Sequence, residues 1–555
     1  MSVFRRFCSW AFSLFSKWDF YYMFFTSLCA NLLALVYYNE LLPFMGMLSL
    51  SAFFAALGVF IINAVNNKIW HRVWFAIFAI LNNIFILVDG FLFFTFKKIF
   101  SEDIIDIIAD TNTQETSEFL SNYLSFTNIL IGIVGLVALN AVIIFVSKWL
   151  SKCRIHKALS WAGVSLAIVG AYFACRCVVM FALFRNGEGI PQYTALTRST
   201  YSAYVLNNKI KGIKATQIAN ANVLKGKPIP HLISNTNIIL VIGESYSKYH
   251  SSLYGYEKNT NPGLSKRIDN GEMVIFNDAV TISDHTNGVM GSVFSLSKGV
   301  ESLNGDILFP AIFKAAGFKT ALYDNQYFVG NGISFLSDAE LSKTVFDDRN
   351  DSKARYDLDI VNMMGLGKDS ANHLIVYHLM GQHYTYADRY PEKFAKFKAS
   401  DYTVPADMDK RQIVAHYDNA TLYNDYVMDN LMKNNSDKKA IIIYFSDHGE
   451  EIFDQGDYMG HGNATVSKDM RYQMSVPMMI WASESYRKEN AEQWQKIQHA
   501  STLPVFTDDI SHLLIDLAGI KTEYLDETRS FINDKYDKSR HRIVLHSIDY
   551  DANKK

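Results

Sequence analysis

The sequence predicts two unlike parts: an N-terminal five-helix transmembrane bundle over residues 1–184 and a C-terminal α/β sandwich domain over 231–555, joined by a bridging segment at 185–230. Three observations predict this. Five apolar runs, each long enough to cross a bilayer, all lie before residue 185. Beyond residue 231, short β-rich apolar runs alternate with amphipathic stretches. All five cysteines, Cys8, Cys29, Cys153, Cys175 and Cys177, lie in or beside the apolar part, so the C-terminal domain carries no disulfide of its own.

The apolar runs are 20–38, 43–65, 73–96, 127–147 and 158–184. At a rise of about 1.5 Å per residue each covers a hydrocarbon core of about 30 Å. Buried helices of a soluble bundle would show polar stripes, and these show almost none. The only charges inside them are Asp89 in the third and Arg176 in the fifth. Charges inside spans pair or face a polar cavity, so these two are expected to pair with each other near the outer interface. Arg5, Arg6 and Lys17 precede the first run, Lys68 and Arg72 follow the second, and Lys148, Lys152, Arg154 and Lys157 follow the fourth. The positive-inside rule makes these segments and the N-terminus cytoplasmic and exports everything beyond the fifth run. The first run is too long for a cleaved signal peptide and lacks an Ala-x-Ala-like exit. In the outer loop 97–126, Ile104, Ile105, Ile107 and Ile108 suit a helix lying on the membrane surface.

The chain has 555 residues, a length prior of about three to four domain-sized units. With 49% hydrophobic and 14% aromatic residues it is too rich for a disordered chain. The balance of 53 Lys+Arg against 55 Asp+Glu leaves no basic excess for nucleic acid as the main partner.

In the C-terminal part, 237–242, 374–379 and 440–445 read as strands covered on both faces, with 308–316 and 422–432 as helices between them, in a largely parallel sheet. Ligands of such sheets bind beyond the carboxyl ends of the strands. The first strand ends in Gly243-Glu244-Ser245 and a later one in Ser446-Asp447-His448-Gly449-Glu450. Glu244, Asp447 and His448 together offer two oxygens and a nitrogen, a ligand set for zinc, with manganese possible. Such a site keeps an open position for a nucleophile. The stretch 281–288 offers hydroxyls, among them Thr281, Ser283 and Thr286, just before an apolar run. A hydroxyl opening a helix gains from the metal and from the helix dipole, although a plain N-cap is the commoner use of such a residue. His383, after the 374–379 strand, and His461, in Gly460-His461-Gly462, would reach the same crevice and bind phosphate oxygens or protonate a leaving group.

The order Val241-Ile242-Gly243-Glu244-Ser245, Tyr254-Gly255-Tyr256-Glu257-Lys258-Asn259-Thr260-Asn261-Pro262, Ser446-Asp447-His448-Gly449-Glu450 and Gly460-His461-Gly462 resembles the membrane-bound phosphoethanolamine transferases of Gram-negative envelopes. These belong to the alkaline phosphatase and sulfatase superfamily, and five spans before an exported domain is also their architecture. The resemblance implies a C-terminal domain of the alkaline phosphatase/sulfatase type, held in the periplasm by a multi-pass anchor in the inner membrane. It implies a zinc enzyme that moves phosphoethanolamine from phosphatidylethanolamine to lipopolysaccharide or another envelope glycan, working as a monomer in contact with membrane lipid and without nucleic acid. Aligned on Phe294-Ser295, the family's nucleophile falls on Thr286, and the metal set becomes Glu244, Thr286, Asp447 and His448. His383 precedes Arg389-Tyr390-Pro391 as the family's histidine does, and His461 matches a later one. Thr111-Asn112-x-x-Glu115 resembles a headgroup-binding helix, so Thr111, Glu115, Asn325, His383 and His461 are expected to bind substrate.

The chain also departs from the family pattern. It lacks the disulfides usual in lipid A-modifying members, Ile107 replaces an Asn, and Asp324-Asn325-Gln326-Tyr327-Phe328-Val329-Gly330 replaces an Asn-Asn pair followed by Ser and Lys. The Asn-Gln form looks more like relatives that decorate core oligosaccharide or periplasmic glucan. The rival readings are a phosphoglycerol transferase of the lipoteichoic acid synthase type, a membrane sulfatase-like hydrolase and a non-catalytic envelope tether. The Tyr-Gly-Tyr and Thr-Asn-Pro motifs weigh against the first. The lack of a Cys/Ser-x-Pro-x-Arg motif weighs against the second, and the intact ligand set against the third.

Overall fold

The fold is described from a computed structural model, over residues 9–10, 12–38, 41–96, 98–101, 104–105, 108, 124, 126–153, 156–183, 194–299, 303–326, 338–350, 354–363, 369–462, 464 and 469–553. Thr111, Glu115 and Ile107 lie outside the described residues. The chain divides into two compact units, Met1–Asn208 and Lys209–Lys555.

In the first unit the five apolar runs are helices: α1 (Trp18–Tyr38), α2 (Leu41–Ala64), α3 (Lys68–Phe96), α4 (Phe126–Leu150) and α5 (His156–Leu183). All five are long and apolar enough to cross a membrane. Asn67 starts α3 by accepting the Ile69 and Trp70 N–H groups at 2.7 and 3.2 Å. Helix α5 packs so closely on α2 that a Cβ at Gly170 would lie 2.0 Å from the Ser49 carbonyl oxygen, so glycine alone fits there. Helix α4 leaves Ile131, Val134, Val137 and Phe145 exposed, the face a lipid-contacting span presents.

Residues 195–224, expected as a bridging segment, form one helix, α6 (Ala195–Leu224), and its first residues correct the expected Asp89–Arg176 pair. The partner of Asp89 is Arg198, and both side chains are buried. Asp89 Oδ1 also accepts the Phe100 N–H at 2.8 Å, while Arg198 Nε donates to the Phe100 carbonyl at 3.1 Å. A guanidinium on the next helix thus satisfies both the carboxylate and the chain leaving α3, which half-exposed Arg176 does not. Removing one member of a buried pair strands the other. Asp89→Asn is therefore expected to cost about 3–5 kcal/mol, and Asp89→Asn with Arg198→Gln less than the two single losses added. Thermal unfolding of the full chain in detergent reads this, and additive losses would refute the pairing.

The second unit is built on a seven-stranded sheet: β1 (Asn237–Gly243), β2 (Met273–Ile275), β3 (Lys319–Asp324), β4 (Asp348–Asn350), β5 (His373–His378), β6 (Ala440–Ser446) and β7 (Met478–Ala482). Their spatial order is β2-β7-β6-β1-β5-β3-β4. The five strands from β6 to β4 are parallel, and β7 runs antiparallel to both β6 and β2. Central β1 and β6 are buried throughout because both faces are covered. Ile238, Leu240 and Ile242 enter one core with Ile441, Ile443 and Phe445, while Ile239 and Val241 enter the other with Ile442 and Tyr444. This is the sandwich the alternating pattern predicts.

Candidate active site

Register brings the site together. Strand β1 pairs with β6 from Asn237 opposite Ala440 to Gly243 opposite Ser446, so Glu244 and Asp447 leave the sheet side by side although about 200 residues separate them. Ser245 turns back with φ 55°, a strained conformation for a residue with a side chain. The strain is offset where its N–H donates to Asp447 Oδ1 at 3.1 Å and its hydroxyl to Glu244 Oε1 at 2.8 Å.

His448 donates its backbone N–H to Asp447 Oδ1 at 2.7 Å, and its Nδ1 lies 2.9 Å from the Gly449 carbonyl. That contact assigns the ring proton to Nδ1 and leaves the Nε2 lone pair available. Nε2 sits 3.4 Å from both Glu244 Oε1 and Asp447 Oδ2. Neither Nε2 nor Asp447 Oδ2 has a hydrogen-bond partner, although both are buried. One ligand atom from each of the three residues falls within 4.8 Å of the others, the spacing of donors arranged around one ion. These groups also perturb one another's charge strongly. Burial, then the Glu244 charge, pushes the Asp447 carboxyl up to about 7. Burial pulls the His448 imidazole down, but the Asp447 and Glu244 charges carry it to about 10. Burial also works against the Glu244 charge, yet the adjacent His448 imidazole holds that carboxyl well below the usual range. Two buried carboxylates and an imidazole therefore fit a divalent zinc ion by geometry and by their orphaned atoms.

Thr286 is the first residue of α7 (Thr286–Phe294), and its Oγ1 donates to Glu244 Oε2 at 3.2 Å. The Thr281 hydroxyl instead donates to the backbone carbonyl of Asp447 and braces that loop. At the far end of α7, Ser511 Oγ donates to the Ser295 carbonyl at 3.0 Å and His512 Nε2 lies 3.2 Å from the Leu296 carbonyl, fixing the helix that presents Thr286.

His461 reaches the crevice, its ring centre 4.0 Å from that of His448. Its Nδ1 bonds Glu450 Oε2 at 2.7 Å, and Tyr386 donates its hydroxyl to Glu450 Oε1 at 2.6 Å. His448, Glu450 and His461 form a second group of candidate ligands. The Nδ1 of His383 is buried and has no hydrogen-bond partner. Burial, reinforced by the Arg389 and His461 charges, pushes its imidazole down to about 4, so it is neutral at neutral pH. The Asp284–His285 pair, 2.6 Å apart, immediately precedes Thr286 and sets the His285 ring 6.2 Å from that of His461.

Asn325, expected to bind substrate, is engaged inside the protein. Its side-chain N–H donates to Asp357 Oδ1 and its carbonyl oxygen accepts the Ala354 N–H, both at 2.8 Å, so its amide is committed inside the protein. The next residue, Gln326, reaches the site instead. Glu450, Gln326 and the Asp284–His285 pair were not anticipated as site residues. Glu450 lies three residues beyond Asp447 in the same motif and Gln326 beside Asn325, but an acid or amide next to a motif has no signature until its partner is known.

Acidic and imidazole ligands converging beyond the carboxyl ends of a mostly parallel sheet define a sulfatase-type domain, and the chain belongs to the sulfatase family, whose model matches residues 236–520. It is similar to the phosphoethanolamine transferase EptC of Escherichia coli strain K12, 26% identical over 471 residues, 79% of this chain and 78% of that one. The crystal structure of the periplasmic domain of E. coli EptC in complex with Zn superposes with a TM-score of 0.51 at 26% identity, covering 59% of this chain and 93% of that one. The integral membrane lipooligosaccharide phosphoethanolamine transferase A (EptA) of Neisseria meningitidis has the same fold over 94% of this chain and 98% of its own, with a TM-score of 0.57 at 16% identity. The relatives are those the motifs anticipate.

Proposed function

We propose that the protein transfers phosphoethanolamine from phosphatidylethanolamine to an envelope glycan or glycolipid, such as the lipid A or core region of lipopolysaccharide, through a covalent intermediate on Thr286. The observation that carries this reading is the Thr286 hydroxyl at 3.2 Å from Glu244 Oε2, at the edge of the Glu244, Asp447 and His448 ligand set. The named activity of the EptC relatives supports the donor group, and the five apolar helices support a lipid donor met in the plane of its own membrane. On this reading the anchor lies in the inner membrane with its N-terminus in the cytoplasm, and the domain lies in the periplasm.

Glu244, Asp447, His448 and the Thr286 oxygen would hold the zinc ion, which acts as a Lewis acid that lowers the pKa of the hydroxyl. Thr286 releases its proton to solvent water, its Oγ1 forms a bond to phosphorus, and the bond from phosphorus to the glycerol oxygen breaks in line. His461, oriented by Glu450, gives a proton to the departing diacylglycerol. His383, neutral through burial, accepts the proton of the incoming acceptor hydroxyl, and the second displacement frees Thr286. The N-terminus of α7 favours negative charge at Thr286 throughout.

The test is the mass of the tryptic peptide containing Thr286, from protein incubated separately with phosphatidylethanolamine and phosphatidylglycerol. A phosphoethanolamine adduct is expected with the first lipid and none with the second. A phosphoglycerol adduct would move the protein to the other transferase class, and no adduct from zinc-loaded protein would remove Thr286 as nucleophile.

A further inference from the structure

We infer that Asn325 and Gln326 form a strut that fixes the metal ligand Glu244, with Gln326 holding its carboxylate and Asn325, through Asp357 and Gly381, holding its backbone. The inference rests on the metal-site reading above and assigns the Asn-Gln dipeptide a positioning role in place of donor contact.

The carboxylate arm is a single amide. Gln326 Nε2 lies 3.0 Å from Glu244 Oε2, the oxygen that also receives the Thr286 hydroxyl, and 2.6 Å from the Leu379 carbonyl at the end of β5. Both side chains are buried. Gln326 is fixed in turn, because its backbone N–H donates to Asp324 Oδ1 at 2.9 Å, and that oxygen lies 3.2 Å from His378 Nδ1. A carboxylate with one oxygen bonded to Ser245 and the other to Gln326 has a single orientation.

The backbone arm runs through a buried acid. Asp357 accepts the Asn325 side-chain N–H and the Met380 N–H on Oδ1, and the Gly381 N–H on Oδ2, each at 2.8 Å. This holds Gly381 at φ +48°, where a Cβ would lie 2.8 Å from both the backbone N and O of Glu244. From that turn Gln382 donates its N–H to the Glu244 carbonyl at 2.9 Å. The same turn leads into His383, so one acid sets the approach of two site residues.

Ligand-orienting neighbours of this kind commonly govern metal affinity by about 10–100-fold. Gln326→Met keeps the length and removes the donor, and Gln326→Asn keeps the donor but loses the reach. Zinc affinity of the full-length protein in detergent is measured by competition with a chromophoric chelator, alongside KM for phosphatidylethanolamine and kcat. Both variants are expected to bind zinc about 10–100-fold more weakly, with KM for the donor within about twofold of the parent once zinc is saturating. Asp357→Asn is expected to weaken zinc as well, and the Gln326 variants decide the matter if it fails to fold. If the parent binds zinc and the Gln326 variants bind it equally while KM for the donor rises, Gln326 is a donor contact and the strut is overturned. If the parent itself binds no zinc, the metal-site reading falls and takes the strut with it.

Discussion

Thr286→Ala is expected to abolish transfer, lowering kcat by a factor on the order of 10⁴ or more, while zinc remains bound. On the proposed mechanism, loss of the Thr286 hydroxyl removes the covalent route altogether. Glu244, Asp447 and His448 keep their contacts to Ser245, Gln326 and Gly449, none of which passes through Thr286. Thr286→Ser preserves the oxygen but frees its rotamer, because Ser lacks the β-branch that stiffens χ1, and it is expected to keep a measurable fraction of the rate. The assay is movement of a labelled headgroup from phosphatidylethanolamine in proteoliposomes, with zinc counted per chain. Transfer by the Ala variant above about a tenth of the parent rate would show that another group does the chemistry.

Asp418→Asn is expected to produce a large loss of stability and to change its pH dependence. Asp418 is buried on α8 (Met408–Lys433), where Oδ1 pairs with His250 Nδ1 at 2.7 Å and Oδ2 accepts the Tyr256 and Tyr402 hydroxyls at 2.8 and 2.6 Å. These contacts tie the Tyr254-Gly255-Tyr256 motif to the helix, and His250 Nε2, 3.4 Å from Asp454, adds the loop beyond Glu450. Burial pulls the His250 imidazole down, but the charge and hydrogen bond of Asp418, aided by Asp454, raise it to about 10. A histidine raised in the folded state takes up its proton on folding. Its stabilisation is fully present below the unfolded pKa of about 6.5 and is lost as pH rises through about 10. At roughly 1.4 kcal/mol per pKa unit this amounts to several kcal/mol. The thermal midpoint of the second unit should therefore fall between pH 6.5 and 10 in the parent protein. The Asn variant should begin about 3–5 kcal/mol less stable and show a much flatter profile. A parallel decline in the two proteins would mean that His250 is not the titrating group.

The same helix shows where sequence reading stops. Its apolar periodicity is legible only over 422–432, yet the helix begins at Met408, where Asp407 caps it by accepting the Asp409 and Lys410 N–H groups. Asp418, Asn419, Asn424 and Asp425 lie on the buried face, and polar residues there erase the stripe that marks an amphipathic helix. Asp418, Asn419 and Asp425 are tolerated because each finds a partner inside, as Asp425 does with the Gly263 and Leu264 N–H groups at 2.9 and 2.8 Å.

The sequence by itself determined the five apolar helices, the three central strands of the sheet and the placing of Glu244, Asp447 and His448 at strand ends. Solvent preference is local: a run of twenty apolar residues needs a membrane wherever it occurs, and a doubly covered strand must be apolar throughout. Only the tertiary structure decided which distant groups meet. It selected Arg198 over Arg176 for Asp89, brought the Thr286 hydroxyl to the Glu244 carboxylate, and tied Asn325 to Asp357 while aiming Gln326 at that carboxylate. Pairing between residues far apart in the chain depends on register and crossing geometry, which no single segment encodes.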